Sequence, residues 1–364
     1  MEDKHYLYWL ANIPGIGCVK ISRLIEYFGS AHDIYMSDED ELKLIEGISE
    51  KDVHNIIKSR NEKKIISAYE DTVNSGVKIT YKGDNDYPSR LNNIYNAPFC
   101  LYYKGRLPDE DKPAVAIVGA RNASYEGLQI AEKFGRELAG YGVQVISGLA
   151  RGIDISSQRG AISVAGGRTY GIMGCGIDIC YPLQHIDEYM LIQQYGGIIS
   201  EYPPGVKALA YNFPMRNRII SGLSDGILVI EAGEKSGSLI TAETGMEQGK
   251  DIFVIPGSIM NPLYKGGNSL IKQGAAVITD TMDILDALGI FYDNSIEDKM
   301  RKNDVLLETS EKIVYASLSL EPAHISEIAQ RTGISVQKTM DLLISLEMKK
   351  LIRMVGNNYY AINL

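Results

Sequence analysis

The chain has 364 residues, 45% of them hydrophobic and 23% charged, the composition of a folded globular protein and not of a collagen-like, mucin-like or disordered chain. At roughly 100–200 residues per domain, the length allows two to four units. A formal net charge of −9 argues against a surface coated with nucleic acid, so any grip on a polyanion has to be local: a few cations and oriented N–H groups in a groove.

The opening MEDKHYLYWL has no signal-peptide pattern and no apolar run reaches the roughly 18 residues of a membrane span, so the expected location is cytoplasmic with no membrane partner. Residues 1–75 read as helical, with apolar positions at helical spacing in HYLYWLANI, VKISRLIEYF, DELKLIEGI and KDVHNIIKSR. Two glycine turns, Ile13-Pro14-Gly15-Ile16-Gly17 and Ile45-Glu46-Gly47-Ile48-Ser49, divide them in the manner of a tandem helix-hairpin-helix, a SAM-like arrangement. Such glycines either free N–H groups for a phosphate or simply let two helices pack closely, and the sequence fits both uses. Between residues 76 and 112, Tyr81–Asp84, Asp86–Leu91 and Phe99–Gly105 read as short β runs between turns, extra strands ahead of a main sheet.

From Pro113 to about Gly289 an apolar run, a glycine-rich turn and a helix repeat. The runs are Ala114–Val118, Val143–Ile146, Thr169–Met173, Gly197–Ile199, Ile227–Ile230, Asp251–Ile255 and Ala275–Ile278. Buried runs alternating with helices predict a doubly wound parallel sheet, so the fold class is α/β, with an extended Rossmann-like core over residues 76–290. A polar linker is expected over 291–310. Three helices and a hairpin turning at Gly356-Asn357-Asn358 then predict a winged helix over 311–364.

Ligands of doubly wound sheets bind at the carboxyl ends of the strands, so the residues after each run carry the chemistry. The first run ends Val118-Gly119-Ala120-Arg121, without GxGxxG; Gly119 permits a tight turn and Arg121 puts a fixed charge where a pyrophosphate would otherwise meet bare backbone. The second ends Ser147-Gly148-Leu149-Ala150-Arg151-Gly152-Ile153-Asp154, with no acidic residue closing the strand to hold a ribose. Ser147, the N–H groups around Gly148 and Gly152, and Arg151 suit phosphate oxygens; alternatively Arg151 pairs with Asp154 and only fixes the loop.

The third run leads through Gly174 and Gly176, which allow a ligand close to the backbone, to Tyr181-Pro182. The fourth ends at Glu201, which no nearby His or Cys completes as a nucleophile arrangement, so it reads as structural. In Phe213-Pro214-Met215-Arg216-Asn217-Arg218 the proline suits a first helical turn, placing Arg216, Asn217 and Arg218 near a helix N-terminus; Phe213 is either a base-stacking or a core aromatic. After the fifth run, Lys235, Gly237 and Ser238 form a second anion-binding helix start that is not a Walker A loop. Five histidines with no metal-binding spacing, and the scattered Cys18, Cys100, Cys175 and Cys180, predict no metal and reduced, mostly buried thiols.

Taken together, VGARNAS, SGLARGID, GCGIDICYP, SEYPPG, FPMRNRIISGLSDGILVIEA, KSGSLITAETGMEQGKDIFVIPG and GGNSLIKQGA resemble the DprA/Smf family, DNA-processing protein A. The resemblance spans the whole core, and the helical start and winged-helix end are also met in that family. It implies a homodimer that binds single-stranded DNA without sequence preference and loads the RecA recombinase during natural transformation, with no catalysis and no cofactor. By motif it makes Arg121 and the FPxRNR segment the DNA-gripping positions. In the winged helix, Gln337, Lys338, Lys349 and Lys350 beside Asp341 and Glu347 form a modest basic set, which favours a protein contact or weak DNA contact. Two rival readings stand beside this one. A Rossmann-like nucleotide phosphoribohydrolase would carry a PGGxGT-type signature where this chain has Glu231-Ala232-Gly233-Glu234; a duplex-binding regulator would read DNA with the winged helix.

Overall fold

The amphipathic spacing of the N-terminal segment produces six helices: α1 (Asp3–Ala11), α2 (Cys18–Phe28), α3 (Ala31–Met36), α4 (Glu39–Lys43), α5 (Glu50–Ser59) and α6 (Glu62–Asn74). They belong to the first of two compact units, Met1–Phe291 and Tyr292–Leu364, in a computed structural model that describes residues 1–291, 309–319, 321–349 and 351–362. The run DELKLIEGI is helical only through Lys43, because Asp38 and Glu41 cap so short a helix at once and Gly47 (φ +83) turns the chain. The two hairpins brace each other: Arg23 on α2 donates to the Glu46 carbonyl, Asn55 on α5 to the Pro14 carbonyl, and Lys20 pairs with Asp52 at 2.7 Å. The guanidinium of Arg23 covers Gly47, so that glycine serves close packing.

The central sheet has nine strands: β1 (Lys78–Tyr81), β2 (Cys100–Gly105), β3 (Ala114–Gly119), β4 (Gln144–Ser147), β5 (Thr169–Met173), β6 (Gly197–Ser200), β7 (Gly226–Ile230), β8 (Asp251–Val254) and β9 (Ala276–Val277). Their order is β1-β2-β6-β5-β4-β3-β7-β8-β9. β3 to β9 are parallel, and β1 and β2 join antiparallel at the β6 edge. The expected β run over Tyr81–Asp84 is instead the end of β1 and the turn after it, and that over Asp86–Leu91 a loop with a 3-10 turn at Ser89–Leu91, since Pro88 lacks the N–H a ladder needs. Strands such as β3 are buried along nearly their whole length because helices cover both faces. The connecting helices are α7 (Tyr125–Gly140), α8 (Ile153–Ile162), α9 (Ile186–Tyr195), α10 (Asn212–Gly222), α11 (Gly237–Glu247), α12 (Lys265–Lys272) and α13 (Thr281–Ala287).

From β3 the chain winds outward through β4, β5 and β6, then returns by α10 to lay β7 against the other side of β3. The strand order therefore reverses between β3 and β7, the position where doubly wound folds open a crevice. The helical segment docks on the same unit: the Asn12 amide and the Tyr102 hydroxyl bond each other at 2.8 and 3.1 Å, and Cys18 reaches the Asn96 carbonyl. Burial pushes the Cys175 and Cys180 thiols up to about 11.

The second unit contains α14 (Thr309–Ala316), α15 (Ile325–Thr332) and α16 (Val336–Met348) with a three-stranded sheet, β10 (Ala323–His324), β11 (Ile352–Gly356) and β12 (Tyr359–Ile362), in the order β10-β12-β11. The wing turns through Gly356, Asn357 and Asn358, all at positive φ. Lys349 is held by Glu311 at 2.6 Å, while Val336, Ile344 and Met348 on or beside α16 are exposed. Lys350 and, apart from Phe291 and the first residues of α14, the expected linker over 291–310 lie outside the described residues.

Candidate nucleic-acid interface

At the reversal point a cleft of about 590 Å³ is walled by the β3 turn, the start of α10 and the start of α11. Gly119 closes its floor: a Cβ there would overlap the Ile230 carbonyl and the Ile153 side chain, so the glycine is required by close approach. The turn that follows is clamped at its other end. Ser124 accepts the Gly127 N–H as the cap of α7, and its own N–H (2.7 Å) and hydroxyl both donate to the Glu231 carboxylate. Glu231 is 1% exposed at φ +50, a left-handed conformation that a non-glycine residue holds only when its surroundings enforce it. Between these clamps Arg121 is presented to solvent and makes no ion pair with a described residue.

The guanidinium of Arg121 lies 5.6 Å from the Phe213 ring centroid, and Tyr181 meets the same ring at 5.4 Å and 37°. Phe213 is half-buried against Gly174, so that glycine admits an aromatic side chain of the protein where sequence suggested room for a ligand. Tyr181 is 46% exposed and extends the aromatic surface outward. Across the cleft, Ser236 caps α11 by accepting the Ser238 N–H and bonds the Ser238 hydroxyl at 2.7 Å, while Lys235 and Gly237 are exposed at the same helix start. Lys235, like Arg121, has no carboxylate in ion-pairing range among the described residues.

Arg216 is 4% exposed and forms the inner wall. Its guanidinium donates to the carbonyls of Gly148 (3.0 Å) and Ile172, and its Nε to Asn217 Oδ1 at 3.2 Å. Asp154, also buried, accepts the Gly148 N–H at 3.1 Å. Burial raises the Asp154 carboxyl, against the opposing pull of Arg216 and the Gly148 and Ala150 N–H groups; burial likewise brings Arg216 down to about 10. Asn217 donates to the Gly237 carbonyl at 3.4 Å and so ties α10 to the start of α11.

Several expectations are corrected by these contacts. Ser147 is fully buried and donates to the Ile117 carbonyl at 2.6 Å, and the Gly148 N–H is taken by Asp154, so neither faces the cleft as a free donor. Arg218 is not a cation of the cleft: it grips Glu201 at 2.7 and 2.8 Å, the Asn96 carbonyl at 2.9 Å and the Met215 carbonyl at 2.9 Å. Arg151 is exposed and does not pair with Asp154, which accepts the Gly148 N–H. Gly152, at φ +79, is pressed onto the Ala120 and Arg121 carbonyls. The cleft thus gathers Gly119, Arg121, Phe213, Arg216, Asn217, Lys235, Gly237 and Ser238, and leaves Ser147, Gly148, Arg151, Gly152 and Arg218 outside it. Sequence reading missed the roles of Asp154 and Glu231. No local signal marks either, since each acts on a segment distant in the chain or folded back by a turn.

A model of the DNA recombination-mediator protein A family matches residues 78–289, a SAM-like helix-hairpin-helix tandem matches 10–62, and a DprA winged helix domain matches 303–358. The chain is 35% identical over 312 residues to the Smf protein of Synechocystis sp., covering 84% of this chain and 78% of that one. It is 43% identical over 206 residues to DNA processing protein DprA of Streptococcus pneumoniae, 56% of this chain and 71% of that one. Among solved structures it is similar to DNA processing protein A of S. pneumoniae, with a TM-score of 0.68 at 32% identity over 79% of this chain and 98% of that one. A Helicobacter pylori DprA structure, described for its single-stranded DNA binding mode, aligns with a TM-score of 0.53 at 29% identity over 60% and 97% of the two chains.

Proposed function

Because this chain belongs to the DNA recombination-mediator protein A family, DprA/Smf, we propose that it binds single-stranded DNA without sequence preference in the cleft between β3 and β7. The carrying observation is the composition of that cleft. In a chain of net charge −9, Arg121 and Lys235 stand without carboxylate partners among the described residues, around an aromatic surface and a capped helix start. Cations and helix N–H groups hold phosphates of any sequence, and Phe213 with Tyr181 offers a face on which any base can stack. Arg216, Asp154 and Asn217 act behind this surface by fixing the loops that carry it.

The family further supports a homodimer that hands the strand to RecA during natural transformation, acting as a binder and not as an enzyme. Glu201 fits that reading, since Arg218 occupies both of its oxygens. The four-part division into 1–75, 76–290, 291–310 and 311–364 belongs to the same proposal, with the winged helix as a protein-contacting module whose exposed Val336, Ile344 and Met348 favour that use.

The test is binding of labelled oligo-dT and its duplex at several salt concentrations, for the wild type and for Arg121→Ala/Lys235→Ala. Single-strand-preferring binding is expected, with the variant's log–log salt slope shallower by about 1.4, or 0.7 for each lost phosphate contact. Absence of binding by the wild type overturns the proposal and directs attention to nucleotide hydrolysis.

A further inference from the structure

The loop that carries Arg121 has a second face. Behind it lies another cavity, of about 320 Å³, whose wall includes Arg121, Arg151, Ser156, Arg159, Gln184 and His185. Three of its lining residues are arginines and none is acidic. One face of α8 builds much of it, because Gly152, Ile155, Ser156 and Arg159 fall at i, i+3, i+4 and i+7. The Ile153 N–H donates to the Ala120 carbonyl at 3.2 Å, a contact that seats the start of α8 on the β3 turn and brings Arg151 and Arg121 to one cavity. His185 is held from behind by the Leu149 carbonyl, 2.9 Å from Nδ1. Arg159 pairs with Glu188 through Nε and Nη2, at 2.8 and 2.5 Å, and its Nη1 makes no hydrogen bond to a described residue.

We infer that this cavity is a second phosphate subsite for the strand held in the cleft, with Arg159 as its outer ligand. The inference rests on the reading of the cleft as a single-strand site. Arg121 lines both cavities, so a strand leaving the cleft on that side stays on a positively charged path, as backbone-tracking grooves require.

Its test uses Arg159→Ala/Glu188→Gln in the full chain. This change removes both members of an ion pair, so that neither charge is left unpaired, and leaves the net charge unaltered. Affinities are measured by fluorescence anisotropy for oligo-dT of about four and about twenty nucleotides, across salt. The long strand is expected to bind several-fold more weakly, with a salt slope shallower by about 0.7, while the short strand binds as before. If the variant matches the wild type at both lengths, while Arg121→Ala weakens both, the cleft stands and the second subsite falls. Equal weakening at both lengths assigns Arg159 to the cleft and also overturns it. Failure of the wild type to bind either length removes the single-strand reading itself.

Discussion

Glu201 and Arg218 face each other at 2.7 Å, with Arg218 nearly enclosed and Glu201 partly open to water. Removing the arginine leaves a carboxylate desolvated and unpaired, so Arg218→Ala is expected to lower unfolding free energy by about 3 kcal/mol, the low end for breaking a buried pair. Urea titration measures this; an unchanged midpoint with lost DNA affinity would instead make Arg218 a direct contact. Phe213 presents the opposite case, because its half-buried side chain lines the cleft. Phe213→Ala is expected to weaken oligo-dT binding by about 1–3 kcal/mol, the range for one lost base stack, while leaving the salt slope as it was. A change in slope would mean that the ring positions Arg121 more than it touches a base.

The β3 turn and α7 behave as one element, joined by Ser124. Ser124→Ala removes the helix cap and one of two bonds to Glu231, so stability is expected to fall by about 1 kcal/mol, with weaker DNA binding because Arg121 loses its fixed base. Equal binding by the variant would show that the turn holds itself. The paired hairpins depend on Asp52, which completes the Ser49 capping box of α5 and receives Lys20. Burial raises the Asp52 carboxyl, but bonds from Lys20 and Ser49 outweigh it and the net shift is downward from 3.8. A depressed folded-state pKa contributes stability above the unfolded value and loses it as pH falls through the folded one. Thermal melts from pH 5 downward should therefore show a steeper acid loss for the wild type than for Asp52→Asn; parallel curves would deny Asp52 that part.

At the scale of the molecule, the cleft lies wholly within the first unit, so deleting Tyr292–Leu364 is expected to leave single-strand affinity intact. Loss of binding on that deletion would favour the duplex-regulator reading. The parallel sheet was legible in the sequence because runs such as Ala114–Val118 are apolar throughout, a pattern that only burial on both faces demands. The hairpin glycines and the wing turn were legible because few residues tolerate their backbone angles. Arg121 and Lys235 were singled out as candidates because each lies in the turn between a strand end and the next helix, where the fold class places ligands, and both line the cleft. Composition and spacing thus determined the architecture and the strand ends at which the cleft opens. Tertiary structure alone decided which cations remain free. Arg216 and Arg218 sit two residues apart on one helix, so they point to different neighbours, one to the Gly148 and Ile172 carbonyls, the other to Glu201. Those partners come from other strand ends, and only folding decides which cations are enclosed by such partners and which stay exposed at the surface.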